Sequence, residues 1–270
     1  MTGRILVALD HSHPSRAALR EAVRLAEALG AELAGLYVED AELFSWAMLP
    51  FGREVVAATG GQRRLSPAGL ARSFEVQAEQ IRDEMKQALE SHDIPWTFHV
   101  IRGRVPTVIE EISRDSDVLM MGAFGRNPLQ RMGKTAGRMV DHGSGPVWLV
   151  PDKTRNGHSV LVPFDGSQAA ERTLQAASAL PLTRDTPVTV IIKRGADEEA
   201  LTEQAQTLLD SGGRSAHILL VNRVDAHSLA HTARTESGRA LLIAAGSPLL
   251  EESALEDLLR NSECPVVVIR

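Results

Sequence analysis

Apolar residues along this chain fall into two patterns that take turns. Short unbroken apolar runs alternate with longer stretches in which apolar residues recur every three or four positions. The unbroken runs predict strands covered on both faces, and the wider spacing predicts helices with one apolar side. In the first half, strands are expected over Ile5–Leu9, Glu32–Val38, Thr97–Ile101, Val118–Met121 and Val147–Val150. Helices are expected over Ser15–Leu29, Ala71–Leu89, Pro106–Ser113 and Leu129–Val140. Leu19, Ala22, Val23 and Ala26 form the stripe of the first helix, and Phe74, Ala78, Ile81, Met85 and Leu89 that of the second. The second half repeats the order, with strands over Val160–Pro163, Val188–Ile192, His217–Val221, Ala240–Ala244 and Val266–Ile269. Its helices are expected over Ala169–Leu180, Glu198–Leu209, Ala226–Thr235 and Leu250–Arg260. Strand–helix alternation with right-handed crossovers builds an α/β fold with doubly wound parallel sheets.

The residues repeat along with the pattern. Leu6-Val7-Ala8-Leu9-Asp10-His11-Ser12 returns as Leu161-Val162-Pro163-Phe164-Asp165-Gly166-Ser167, and Leu19 returns as Leu174 at the same offset. Pro146-Val147-Trp148-Leu149-Val150 closes the first half, and Pro265-Val266-Val267-Val268-Ile269 closes the second. A polar stretch, Pro151 to His158, lies between them and reads as a linker. The chain is therefore read as an internal duplication, with domains over residues 1–151 and 158–270. Apolar terminal strands are sheet edges that need covering, and Val147–Val150 and Val266–Ile269 are suited to cover each other. The segment Ala41–Leu70 is too long for an ordinary connection. Its apolar part, Leu43–Phe51, predicts a short helix on the domain edge or on a partner. The plainer expectation is a surface excursion with no ligand of its own.

Composition narrows the function. Hydrophobic residues make up 43% and charged residues 24% of the 270, the mix of an ordinary globular protein. The net charge of −6, with both signs interspersed, argues against a nucleic-acid binder. A single cysteine, Cys264, forbids an internal disulfide and fits a reducing compartment. The start, MTGRILVALDHS, has no long apolar leader, and no stretch approaches the ~20 apolar residues of a membrane span. The expectation is a cytoplasmic protein with no membrane contact.

In open α/β sheets ligands bind beyond the carboxyl ends of the strands. Asp10 and the loop Gly122-Ala123-Phe124-Gly125 are expected there. Such a loop lets backbone approach a phosphate, and the following helix offers free N–H groups. Asp10 can accept hydrogen bonds from a ribose hydroxyl or an adenine amine. Gly133-Lys134-Thr135 looks like the end of a P-loop, but that motif needs a glycine where the chain has Pro128. His227 and His231 share a helical face, yet Ser228 stands where a zinc-protease helix carries glutamate. His11 and His13 flank Ser12, which with Ser167 reads as a helix N-cap. No metal site is expected.

Taken together, the Asp10 strand, the approach GRVPTVIEEISRDSDVLMMG from Gly103 to Gly122, and Gly122-x-x-Gly125 resemble the universal stress protein family in its tandem two-domain form. The resemblance covers nearly the whole chain apart from Ala41–Leu70. It implies Rossmann-like domains, related to adenine nucleotide alpha hydrolases, joined as a pseudo-dimer through their terminal strands. It implies that Asp10 and Val38 hold the adenosine part of ATP or AMP. Phosphates then fall to Gly122, Gly125 and the pair Gly133-Lys134, with Mg accompanying ATP. Only seven residues separate Gly125 from Gly133, two fewer than the family pattern, and Lys134 stands where a small hydroxyl belongs. Lys134 can pair with a phosphate as a point charge, fill the pocket or face solvent, and Thr135 can supply a hydroxyl one step later.

The second half keeps Asp165-Gly166-Ser167 but has no G-x-x-G after its fourth strand, and Glu252-Ser253 occupies the place of Gly133-Lys134. Carboxylates there repel a triphosphate, so no nucleotide is expected in that domain. No catalytic residue is expected. The function implied is a cytoplasmic stress-response protein that senses or sequesters an adenine nucleotide in its first domain. The alternative is an interaction module that binds no nucleotide and engages an unidentified protein partner. A homodimer through Leu43–Phe51 is expected in either case.

Overall fold

The computed structural model describes residues 3–49, 53–55, 62–64, 66–125, 132–179, 187–211 and 216–270. In chain order the first half contains β1 (Arg4–Leu9), α1 (His13–Leu29), β2 (Glu32–Asp40), α2 (Ala41–Ala47), β3 (Arg53–Val55), β4 (Gln62–Arg64) and α3 (Pro67–Leu89). It continues with β5 (Trp96–Gly103), α4 (Val105–Ser113), β6 (Val118–Gly122), α5 (Lys134–His142) and β7 (Val147–Val150). The second half contains β8 (Ser159–Phe164), α6 (Gln168–Ala179), β9 (Val188–Lys193), α7 (Glu198–Ser211), β10 (Ala216–Val221), α8 (Ala226–Thr235), β11 (Gly238–Ala244), α9 (Glu252–Asn261) and β12 (Val266–Ile269).

Local chemistry sets these boundaries. Ser12 caps α1 by accepting from the Ser15 N–H, and Pro14 in the first turn has no N–H to lose. The helix stops at Gly30, whose φ of 59° is left-handed and suits a residue without Cβ. Phe74, Ala78, Ile81, Met85 and Leu89, the stripe expected for α3, are all buried. Asp225 and Ser228 form a reciprocal capping box on α8. The Ser228 N–H bonded to Asp225 holds that carboxyl below its ordinary range.

Among the described residues, ten strands form one sheet in the order β10-β9-β8-β11-β12-β7-β6-β1-β2-β5. Every neighbouring pair is parallel except one. β12 runs antiparallel to β7, pairing Val266 with Leu149, Val267 with Trp148 and Val268 with Val147. Read outward from that seam, both halves have the same strand order. One apolar core on one face of the sheet carries Trp148, Val150, Val267 and Ile269 beside residues from both halves. The core on the other face carries Val147, Leu149, Val266, Val268 and Cys264. Each core therefore crosses the seam. Burial pushes the Cys264 thiol up to about 12, so it stays protonated at neutral pH.

Two expectations need correction. Helix α5 starts at Lys134 rather than Leu129. Gly133 is its N-cap, and Phe124 and Met132 form a short antiparallel bridge just before it. Residues 126–131 lie outside the described residues. Similarly, α9 starts at Glu252, because Ser247 first caps a 3-10 turn over Pro248–Leu250. The Ala41–Leu70 segment holds α2 and the antiparallel strand pair β3–β4, and Phe51 lies outside the described residues. Helix α2 packs on α3, with the Phe44 and Phe74 rings 5.4 Å apart.

Trp148 is fully buried at the seam, and its indole N–H finds no partner among the described residues. Trp148→Ala should lower unfolding free energy by about 3–5 kcal/mol in denaturant titration. Trp148→Phe should cost far less, because it removes the unpaired N–H along with some volume. Equal losses for the two would show that packing at this position does not hold the seam.

Candidate functional site

The duplicated Asp-x-Ser turn is built alike in both halves. Asp10 Oδ1 accepts from the Ser12 N–H at 3.0 Å, and Asp165 Oδ1 accepts from the Ser167 N–H at 3.0 Å. Ser12 and Ser167 in turn accept from the N–H groups of Ser15 and Ala170, each at 3.2 Å. The middle residue is left-handed in both, with φ of 63° at His11 and 76° at Gly166. Glycine takes that conformation freely and histidine does not. His11 is held there by its neighbours, with Nδ1 3.1 Å from Glu84 and Nε2 3.2 Å from Arg16.

Beyond the ends of β1, β2 and β6 lies a cleft of about 350 Å³. Asp10, Val38, Gly122 and Thr135 line it. Its walls also include Tyr37 and Gln77, joined by a 2.8 Å hydrogen bond from the tyrosine hydroxyl, with Phe74, Leu43 and Leu70. Sequence reasoning missed these wall residues, since Ala41–Leu70 read as a surface excursion. Leu43 and Leu70 come from that segment, so it does contribute to the cleft.

Gly125, Gly133 and Lys134 are not among the lining residues. Gly133 and Lys134 border a separate depression facing Glu251 and Glu252 of the second half, and Lys134 is exposed. Phe124 and Met132 are held from that half as well. Glu256 accepts from the Met132 N–H, and the Arg260 guanidinium lies 4.6 Å from the centre of the Phe124 ring. Glu256 and Arg260 are four residues apart on α9, so one helical face carries both.

Gly122 has a packing reason for lacking a side chain. A Cβ there would sit 2.6 Å from Pro14 Cβ and 2.8 Å from the Pro14 carbonyl carbon, where β6 ends against the start of α1. The second-half position in the same register is Ala244, since Gly122 pairs with Val150 and Ala244 with Ile269. Gly122→Ala should therefore displace the start of α1 and lower stability by about 1–3 kcal/mol, measured by thermal or denaturant unfolding. An unchanged stability would mean that the glycine serves only the approach of a ligand.

In the second half, a larger cleft of about 820 Å³ lies beyond the ends of β8, β9 and β11. Asp165, Ser167, Lys193, Arg194, Asp197, Asp225 and Ser247 are its polar lining residues. No group of three or more His, Cys, Asp or Glu side chains among the described residues forms a metal cluster. No helix among them is long and apolar enough to cross a membrane.

Residues 1–151 match the model of the Universal stress protein family. A universal stress protein of Mycolicibacterium smegmatis is 26% identical over 181 residues, 62% of this chain and 55% of that protein. The chain thus spans about half the length of that curated relative. Among solved structures, a universal stress protein from Archaeoglobus fulgidus DSM 4304 superposes with a TM-score of 0.75 at 18% identity, over 99% of this chain and 96% of that one. A structure from Pseudomonas aeruginosa UCBPP-PA14 superposes with a TM-score of 0.60 at 15% identity, over 99% and 93% of the two chains. Both likenesses speak to the fold, which they share along its full length. With the family model spanning more than half of its residues, the chain belongs to the universal stress protein family.

Proposed function

We propose that the protein binds an adenine nucleotide in the cleft of its first half, that AMP suits this cleft better than ATP, and that residues 1–151 and 158–270 act as separate domains of a stress-response protein. The observation that carries this reading is the joining of Asp10, Val38, Gly122 and Thr135 around one concavity at the strand ends. Its volume of about 350 Å³ lies at the small end of small-molecule sites. Apolar walls with a few converging polar groups are the usual composition of such a site. Asp10 offers a carboxylate to ribose or adenine, and Val38 gives the base an apolar edge.

Preference for a monophosphate rests on the far end of the cleft. The Met132 N–H, a donor on the loop expected to meet the outer phosphates, already serves the Glu256 carboxylate. A fixed negative charge there opposes a triphosphate. Lys134, the cation expected to offset phosphate charge, is exposed and lines a different depression, together with Glu251 and Glu252. Nothing in this reading requires a catalytic base or bound Mg.

A second reading, an interaction module without nucleotide, draws on the exposed apolar residues of α2 and the two positions after it. Leu43, Trp46, Met48 and Leu49 are 43%, 62%, 73% and 39% exposed there. A homodimer formed through these residues belongs to the same proposal, and light scattering of a Trp46→Glu variant beside the parent tests it.

Thermal unfolding with AMP, ATP and adenosine separates the two readings. AMP at 100 times its dissociation constant should add about 2.7 kcal/mol of stability. Asp10→Ala should abolish the shift, whereas Asp165→Ala, which breaks the same turn in the other half, should preserve it. Glu256→Gln should raise the affinity for ATP relative to AMP. No shift with any of the three ligands leaves the interaction module.

A further inference from the structure

The second-half cleft is more than a worn copy of the first. Leu9 pairs with Tyr37 in the first half and Phe164 with Ile192 in the second, so Val38 and Lys193 occupy the same next position. An apolar residue at the end of one strand is thus replaced by a cation in the other, followed by a second cation, Arg194. Neither side chain makes an ion pair or side-chain hydrogen bond among the described residues, and both are exposed at the cleft. The two carboxylates nearest the strand ends are already committed. Asp165 holds the Ser167 N–H, and Asp225 caps α8 through the Ser228 N–H at 2.8 Å. Asp197 is the remaining carboxylate of the lining.

The body of the cleft is apolar. Phe164 and Ile243 are buried at its floor, and Leu201, Val224, Leu249 and Ala245 stand around them. It holds about 820 Å³ against about 350 Å³ in the first half. The difference has a visible source. The first cleft is walled by Tyr37, by Leu43 of α2 and by Leu70 and Phe74 of α3, and the second half goes from β9 to α7 with no counterpart of α2 between them.

We infer that this second cleft binds an amphipathic monoanion, a carboxylic acid with an aliphatic or aromatic body. Its carboxylate meets Lys193 and Arg194 at the end of β9, and its apolar part lies over Phe164, Ile243 and Leu249. Charge-assisted bonds from lysine and arginine to a carboxylate supply orientation, and the apolar floor supplies most of the affinity.

Octanoate and octylammonium, equal in chain length and opposite in charge, are the probes, and isothermal titration calorimetry on the full chain is the readout. Octanoate should bind with one site per chain, AMP should not displace it, and octylammonium should not bind. The double variant K193Q/R194Q should weaken octanoate about ten-fold or more while leaving the unfolding midpoint unchanged, since both side chains are exposed. Ala245→Leu, which adds volume inside the cleft, should weaken it too, and Asp10→Ala should not. No binding of octanoate, equal binding of the two probes, equal binding by K193Q/R194Q, or loss through Asp10→Ala would each overturn the inference.

Discussion

The pairing of β7 with β12 is the constraint on which the rest of the molecule depends. Each of these strands is four residues long and buried throughout. Each is also the last strand of its half, so alone it would present an apolar edge with unpaired N–H and C=O groups to water. Antiparallel pairing satisfies that edge from both sides and merges the two halves into one sheet. It also makes the cores on both faces continuous, with Trp148 and Val267 on one and Leu149 and Val266 on the other. Burying a large apolar side chain contributes roughly 1.5–3 kcal/mol, so the seam residues together outweigh any surface ion pair between the halves.

Once the seam is made, each half reaches into the other. Arg270, the last residue, donates to the Met139 and Gly145 carbonyls at 3.0 and 3.2 Å and also to Val140, capping the end of α5. Glu256 and Arg260 reach the loop after β6. Phe124 and Met132, beside the first cleft, are thereby held from the second half. Divergence between the copies then works on a common frame. His11 against Gly166, Val38 against Lys193 and Gly122 against Ala244 are substitutions at equivalent strand ends. The second of these puts an apolar residue at the end of β2 in the first cleft and a cation at the end of β9 in the second.

Much of the frame was legible in the sequence because it rests on local rules. Unbroken apolar runs marked the buried parallel strands, and the three-to-four spacing marked the helices. The Asp-x-Ser repeat identified two N-capped helices whose geometry matches atom for atom. The pairing of the terminal strands followed from their apolar character. What escaped the reading depends on contacts between distant segments. The start of α5 was placed too early because apolar spacing carries no record of the Phe124–Met132 bridge. Gly122 read as a phosphate-facing glycine, although its close neighbour is Pro14. Glu256 carried no local signal, since only docking of the two halves brings it to Met132. Lys193 and Arg194 went unread, because their place at a cleft emerges only where no inserted helix covers the strand end.

The central claim is that the two copies share a frame and differ in their clefts, the first alone admitting adenosine. Hydrogen–deuterium exchange with and without saturating AMP tests this most directly. The account predicts slowed exchange confined to the ends of β1, β2 and β6, around residues 9–12, 37–40 and 121–124. Slowed exchange at the ends of β8, β9 and β11 instead, or in both halves alike, would contradict it.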